Sequence, residues 1–131
     1  MADALILIVE DNHNNKKLLR DVLRYHGYRT AEAESAERGN ALASELLPAL
    51  ILMDIQLPGM SGIEALAQLR ADTRTQHIPV VAVTASAMDQ DRARIMAAGF
   101  NGYQRKPISM KELVRMVGAL LAPRASGGNR A

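Results

Sequence analysis

Three acids, a hydroxyl and a lysine stand where apolar runs give way to polar residues: Glu10 and Asp11 after the first run, Asp54 at the end of a second, Thr84 at the end of a third, and Lys106 just before Pro107. Three carboxylates gathered in one place repel one another, and a hard divalent cation with oxygen ligands relieves that repulsion. Magnesium is the expected ion, because it accepts one or two carboxylates, keeps several waters and can share a phosphoryl oxygen. A carboxylate can also attack phosphorus and form an aspartyl phosphate. The transferring group carries its charge on equatorial oxygens, so it needs a metal on one side and fixed donors on the other. On this reading Asp11 and Asp54 hold the metal, with Glu10 orienting a water of its shell. Lys106 supplies the opposing positive charge, and Thr84 a hydroxyl donor.

Such a set is useful only if one scaffold brings it together. The runs at 5–9, 50–53 and 80–83 are continuously apolar, as strands covered on both faces require. Two more polar segments, 28–33 and 102–105, are expected as strands at the sheet edges. Helical spacing of three and four links Leu18, Leu19, Val22 and Leu23; Leu42 and Leu46; Ile63, Leu66 and Arg70 with Ala67; and Leu113, Val117, Leu120 and Leu121. A further segment, 88–98, is less clearly amphipathic, with Ile95 and Met96 as its main apolar residues. Ser61 with Glu64 and Ser109 with Glu112 read as capping boxes, while Gly27, Pro48 and Gly99 read as stops. Five strand and helix pairs in alternation predict a doubly wound α/β domain, with a parallel sheet in the order second, first, third, fourth, fifth and five helices spread over both faces. In such sheets ligands bind beyond the carboxyl ends of the strands, which is the rim where the five polar residues fall.

Composition removes several alternatives. The 131 residues fit one domain, expected over 1–122, with 123–131 as a flexible tail after a helix closed by Pro123, and no separate output domain is expected. Of 16 basic side chains, Arg124 and Arg130 lie in that tail, leaving the body with fourteen basic and fourteen acidic groups. With three Tyr, one Phe and no Trp besides, nucleic acid is not an expected partner. The absence of cysteine excludes thiolate chemistry. No signal-like segment or run of about 20 apolar residues is present, so no membrane contact and a cytoplasmic location are expected. His13, His26 and His77 lack metal-ligand spacing.

The constellation resembles the receiver domains of bacterial two-component response regulators. The residues that carry the likeness are IVEDN at 8–12, LMDIQLPGMSG at 52–62, VTA at 83–85, and Lys106 with Pro107. The resemblance implies a flavodoxin-like fold with Asp54 as phosphoacceptor, Glu10 and Asp11 as the acidic metal pair, and Gln56 as a metal ligand through its backbone carbonyl. Lys106 becomes the phosphate-pairing lysine, Thr84 the switch hydroxyl, and Tyr103 the aromatic that moves with it. A cis peptide is usual before the proline matching Pro107. Implied partners are a histidine kinase or histidine phosphotransfer protein, and a downstream protein docking on the fourth helix, fifth strand and fifth helix. Within the family, ILMDIQLP at 51–58, PVVAVTA at 79–85 and KPIS at 106–109 look most like single-domain cell-cycle regulators of the DivK type.

Two other readings fit less well. Magnesium-dependent phosphatases that form an aspartyl phosphate place a second acid two residues after the nucleophile at the end of the first strand, and Glu10, Asp11 and Asn12 lack that spacing. A phosphate-independent scaffold would not need the full acidic set. A signalling receiver that catalyses only its own phosphorylation and dephosphorylation is therefore expected, not a turnover enzyme.

Overall fold

The computed structural model describes residues 4–85 and 89–127. Five strands alternate with five helices: β1 (Leu5–Val9), α1 (His13–Tyr25), β2 (Arg29–Ala33), α2 (Ala36–Leu46), β3 (Leu50–Asp54), α3 (Gly62–Ala71), β4 (Val80–Thr84), α4 (Asp89–Ala97), β5 (Gly102–Arg105) and α5 (Met110–Gly127). The strands pair in parallel in the order β2-β1-β3-β4-β5, with the two polar strands at the edges as their composition predicts.

Alternation along the strands divides the core into two layers. Leu7, Val9, Ile51, Met53, Val80 and Ala82 face one way, against buried residues of α2, α3 and α4 that include Ala43, Leu66 and Ile95. Ile6, Ile8, Leu50, Leu52 and Val81 face the other way, against Leu19 and Leu23 of α1 and Leu113 and Val117 of α5. Each fully buried aliphatic side chain contributes about 1.5–3 kcal/mol relative to exposure. These layers therefore hold the rim that the loops decorate.

Local chemistry fixes the helix ends. Asn12 and Ser35 cap α1 and α2 by accepting the N–H groups of Asn15 and Arg38. Ser61 and Glu64 form the expected reciprocal capping box at 2.9 and 3.2 Å. The Ser109 hydroxyl accepts the Glu112 N–H at 3.3 Å. Gly27 and Gly99 sit at φ +94° and +109° after α1 and α4, where a left-handed residue lets the chain turn away.

Several expectations are corrected. Leu18, Leu46 and Met96 are exposed, because the buried stripes run through Lys16, Leu19 and Leu23, through Gly39 and Ala43, and through Ile95. Ala67 is likewise outside the face that α3 buries with Ala65, Leu66 and Leu69. Pro123 does not close α5, which continues to Gly127; proline withholds one N–H, but its fixed φ lies in the helical range. Residues 128–131 of the expected tail, and Met88 at the expected start of the fourth helix, lie outside the described residues. No described helix is long and apolar enough to cross a membrane.

Candidate functional site

Sheet register brings the predicted residues together. Val9 pairs with Met53, so Glu10, the next residue, is level with Asp54. Asp54 pairs with Val83, so Thr84 stands one step further along β4. Thr84 pairs with Arg105, and the following N–H, that of Lys106, donates to the Thr84 carbonyl at 2.8 Å. Four of the five polar residues thus reach the same rim from three adjacent strands and the end of the fourth. Asp11 completes the set from the turn between β1 and α1.

The resulting electrostatics are crowded. One carboxylate oxygen from each of Glu10, Asp11 and Asp54 lies within 4.8 Å of the others, the one such acidic group found among the described residues. The Lys106 ammonium is 3.1 Å from Asp54 Oδ2 and 3.4 Å from both Glu10 oxygens. Asp54 Oδ1 accepts the Gln56 backbone N–H at 2.9 Å, and Glu10 Oε2 accepts the Asn12 N–H at 3.1 Å. Glu10 and Asp54 are only 1% and 3% exposed, whereas Asp11 faces solvent. Burial, and then the charge of Asp54, raise the Glu10 carboxyl above its ordinary value. Burial alone would lower the Lys106 pKa, but the hydrogen bond and charge of Asp54, followed by those of Glu10, outweigh it and raise the pKa.

With all four groups ionised, one lysine faces three carboxylates. Two formal negative charges remain uncompensated, and the buried Glu10 Oε1, although 3.4 Å from the ammonium, accepts no hydrogen bond among the described residues. Both observations fit a divalent cation. The carboxylate oxygens of Glu10, Asp11 and Asp54, all within 4.8 Å of one another, could hold such an ion between them. The histidines do not join this group; His26 Nδ1 lies 3.0 Å from the Val22 carbonyl at the end of α1.

Thr84 is buried at the end of β4, and Tyr103 is partly buried in β5 opposite Ala82. The Lys106–Pro107 peptide is cis, as the resemblance implied. Three features escaped the sequence reading. Gly62, the first residue of α3, packs beneath β3, where a Cβ would meet the Asp54 carbonyl oxygen at 2.7 Å. Lys16 is buried and pairs with Glu34 at 2.8 Å, although an isolated lysine on a helix gives no sign of burial. The Arg92 guanidinium lies over the Tyr103 ring, a pairing across a turn for which periodicity has no signal.

Comparison with known proteins points the same way. Residues 6–118 match the family model described as the response regulator receiver domain. Among curated proteins, the polar-differentiation response regulator DivK of Brucella ovis is 45% identical over 116 residues, covering 88% of this chain and 94% of its own. DivK of Brucella anthropi is 44% identical over the same length and shares. Among solved structures, the receiver domain of the sensor histidine kinase PA1611 from Pseudomonas aeruginosa, with magnesium coordinated in its active site cleft, is 32% identical. It superposes with a TM-score of 0.85 over 92% of this chain and 98% of that one. A putative response regulator from Chloroflexus aurantiacus gives 31% identity and a TM-score of 0.87 over the same shares.

Proposed function

The chain belongs to the response regulator receiver domain family, and from that membership we propose that it accepts a phosphoryl group on Asp54 and signals by phosphorylation-dependent protein binding. The observation that carries this reading is the joint approach of Lys106 and two further carboxylates to a single buried Asp54 at the sheet rim. The donor is a histidine kinase or a histidine phosphotransfer protein. An Asp54 oxygen attacks phosphorus as the bond from phosphorus to the donor imidazole breaks, and the nitrogen leaves with the electron pair.

In this reading Asp11, Asp54 and the backbone carbonyl of Gln56 hold magnesium, with Glu10 acting through water. When bound, the ion neutralises charge that develops on the phosphoryl oxygens. The chain's own groups do the rest. The Gln56 N–H and Lys106 fix the two Asp54 oxygens before reaction, so little reorganisation is needed as charge moves outward. Lys106 then follows the charge from the carboxylate to the phosphoryl group, and the Thr84 hydroxyl supplies a second donor. Movement of Thr84 draws Tyr103 with it, and the surface made by α4, β5 and α5 changes its affinity for a downstream protein. The chemistry is confined to the chain's own phosphorylation and dephosphorylation. The similarity to DivK supports a part in cell-cycle polarity, carried out in the cytoplasm.

The test is incubation with magnesium and acetyl phosphate, wild type beside Asp54→Asn, followed by intact-mass measurement. One phosphoryl group on the wild type alone is expected. Equal labelling of both would remove Asp54 from this role.

A further inference from the structure

Tyr103 and Thr84 share one face of the sheet. In parallel pairing, Ala82 and Tyr103 point the same way, and Thr84 follows Ala82 by two residues. The Tyr103 ring packs against the apolar layer that α2, α3 and α4 cover, yet it remains partly exposed. Arg92, an exposed residue of α4, covers it: the guanidinium carbon stands over the ring, 5.8 Å from its centroid. Among the described side chains of α4, Ile95 alone is buried. The cation over the ring is therefore one of the contacts that join this helix to β5.

Lys106 bonds directly to the Asp54 carboxylate at 3.1 Å, and the Arg92–Tyr103 contact coexists with that bond. A phosphoryl group on Asp54 would compete for the same ammonium. A contact made in only one of two states lowers the apparent affinity of any ligand that selects the other. We propose that Arg92 is a positioning residue: its guanidinium holds the Tyr103 ring in the unphosphorylated conformer and so sets how readily α4 and β5 switch. This rests on the reading of Thr84 and Tyr103 as the switch pair. At an exposed site such a pair is worth about 0.5–1 kcal/mol, which corresponds to a two- to five-fold change in an equilibrium.

The experiment uses the full chain labelled with 3-fluorotyrosine, titrated with beryllofluoride in the presence of magnesium and followed by fluorine NMR. Tyr25→Phe and Tyr28→Phe assign the remaining resonance to Tyr103. In the wild type the Tyr103 resonance should move on saturation. Arg92→Ala should reach half-saturation at about two- to five-fold lower beryllofluoride, with Arg92→Lys in between. In a Tyr103→Leu background, followed through the backbone amide of Ile55, Arg92→Ala should have no effect. An unmoved Tyr103 resonance in the wild type would sink the switch reading, and the role of Arg92 with it. A moving resonance with unaltered half-saturation in Arg92→Ala would overturn the role of Arg92 alone. An equal shift in the Tyr103→Leu background would also overturn it, since the effect would not run through the ring.

Discussion

A Cβ on Gly62 would stand 2.7 Å from the carbonyl oxygen of Asp54 and 3.0 Å from the Cα of Ile55, both backbone atoms that cannot swing aside. The first residue of α3 is thus pressed directly beneath the strand end that carries the proposed phosphoacceptor. Gly62→Ala must push either α3 or β3, and overpacking of this kind costs about 1–3 kcal/mol. Gly118 is a contrasting case, inside α5 where a Cβ would meet nothing within 4 Å among the described residues outside its own helix backbone. There alanine relieves glycine's entropic cost without a clash, a gain of about 0.5–1 kcal/mol. Urea unfolding should therefore separate the two variants in opposite directions, and only Gly62→Ala should slow labelling by acetyl phosphate. A neutral Gly62→Ala would mean that the β3 end yields freely.

The charge balance at the rim predicts opposite effects from removing acids and removing the lysine. In magnesium-free buffer at neutral pH, Glu10→Gln or Asp54→Asn relieves repulsion between buried carboxylates and should raise the thermal midpoint. Lys106→Ala leaves those carboxylates without their cation and should lower stability by about 1–3 kcal/mol. That is less than for a fully buried pair, because the Lys106 side chain keeps 21% exposure and water screens it. Magnesium at a hundred times its dissociation constant should stabilise the wild type by about 2.7 kcal/mol. Asp11→Asn should lose most of that increment, and calorimetry with and without the ion measures it. An increment untouched by Asp11→Asn would place the cation elsewhere.

Much of this was legible from residue order alone. Apolar runs this short and bounded by polar residues fit strands covered on both faces, and once β1 and β3 are neighbours, the pairing of Val9 with Met53 puts Glu10 beside Asp54. Periodicity says less about which stripe of a helix is central. In α1 the spacing of Leu18 and Val22 is as good as that of Leu19 and Leu23, yet the latter pair is buried together with Lys16. Arg70, read as part of a helical face, instead spends its guanidinium on the carbonyls of Gln76 and Ile78 just after α3 and on Asn101 across the sheet, and no helical periodicity encodes that.

Lys16 and Glu34 predict a pH dependence. The Lys16 side chain is 8% exposed and its partner 77% exposed, so the cation is the buried half of the pair. The hydrogen bond and charge of Lys16 hold the Glu34 carboxyl below its ordinary value. A carboxylate lowered in the folded state stabilises it above the unfolded pKa near 4.3, and that contribution is lost as pH falls through the lower folded value. Glu34→Gln should thus lower stability at neutral pH and flatten the fall in stability below about pH 4.3. Lys16→Met, which removes the buried charge altogether, should make Glu34→Gln silent. Acid titrations of the four proteins in the cycle, followed by circular dichroism, test this, and an unchanged acid limb in Glu34→Gln would exclude the pair as its source.

Arg70 ties the far edge of the sheet together. Its guanidinium donates to the carbonyls of Gln76 and Ile78 at 3.1 and 2.7 Å and to Asn101 Oδ1 at 2.8 Å, and that same amide oxygen accepts the Val80 N–H at 2.9 Å. One side chain of α3 therefore orders both the approach to β4 and the corner that opens β5. Hydrogen bonds from a charged donor contribute about 1.5–3 kcal/mol, and Arg70→Ala should cost an amount in that range. Arg70→Lys should recover less than half of it, because an ammonium cannot span acceptors that a planar fork reaches together. The node lies at the amino ends of β4 and β5, whereas the acidic rim lies at the carboxyl ends, so the affinity for magnesium should be unchanged in both variants. Hydrogen exchange at the Val80 amide, measured beside magnesium titration, checks both halves. Full protection of Val80 in Arg70→Ala would show that Asn101 holds this corner without the arginine.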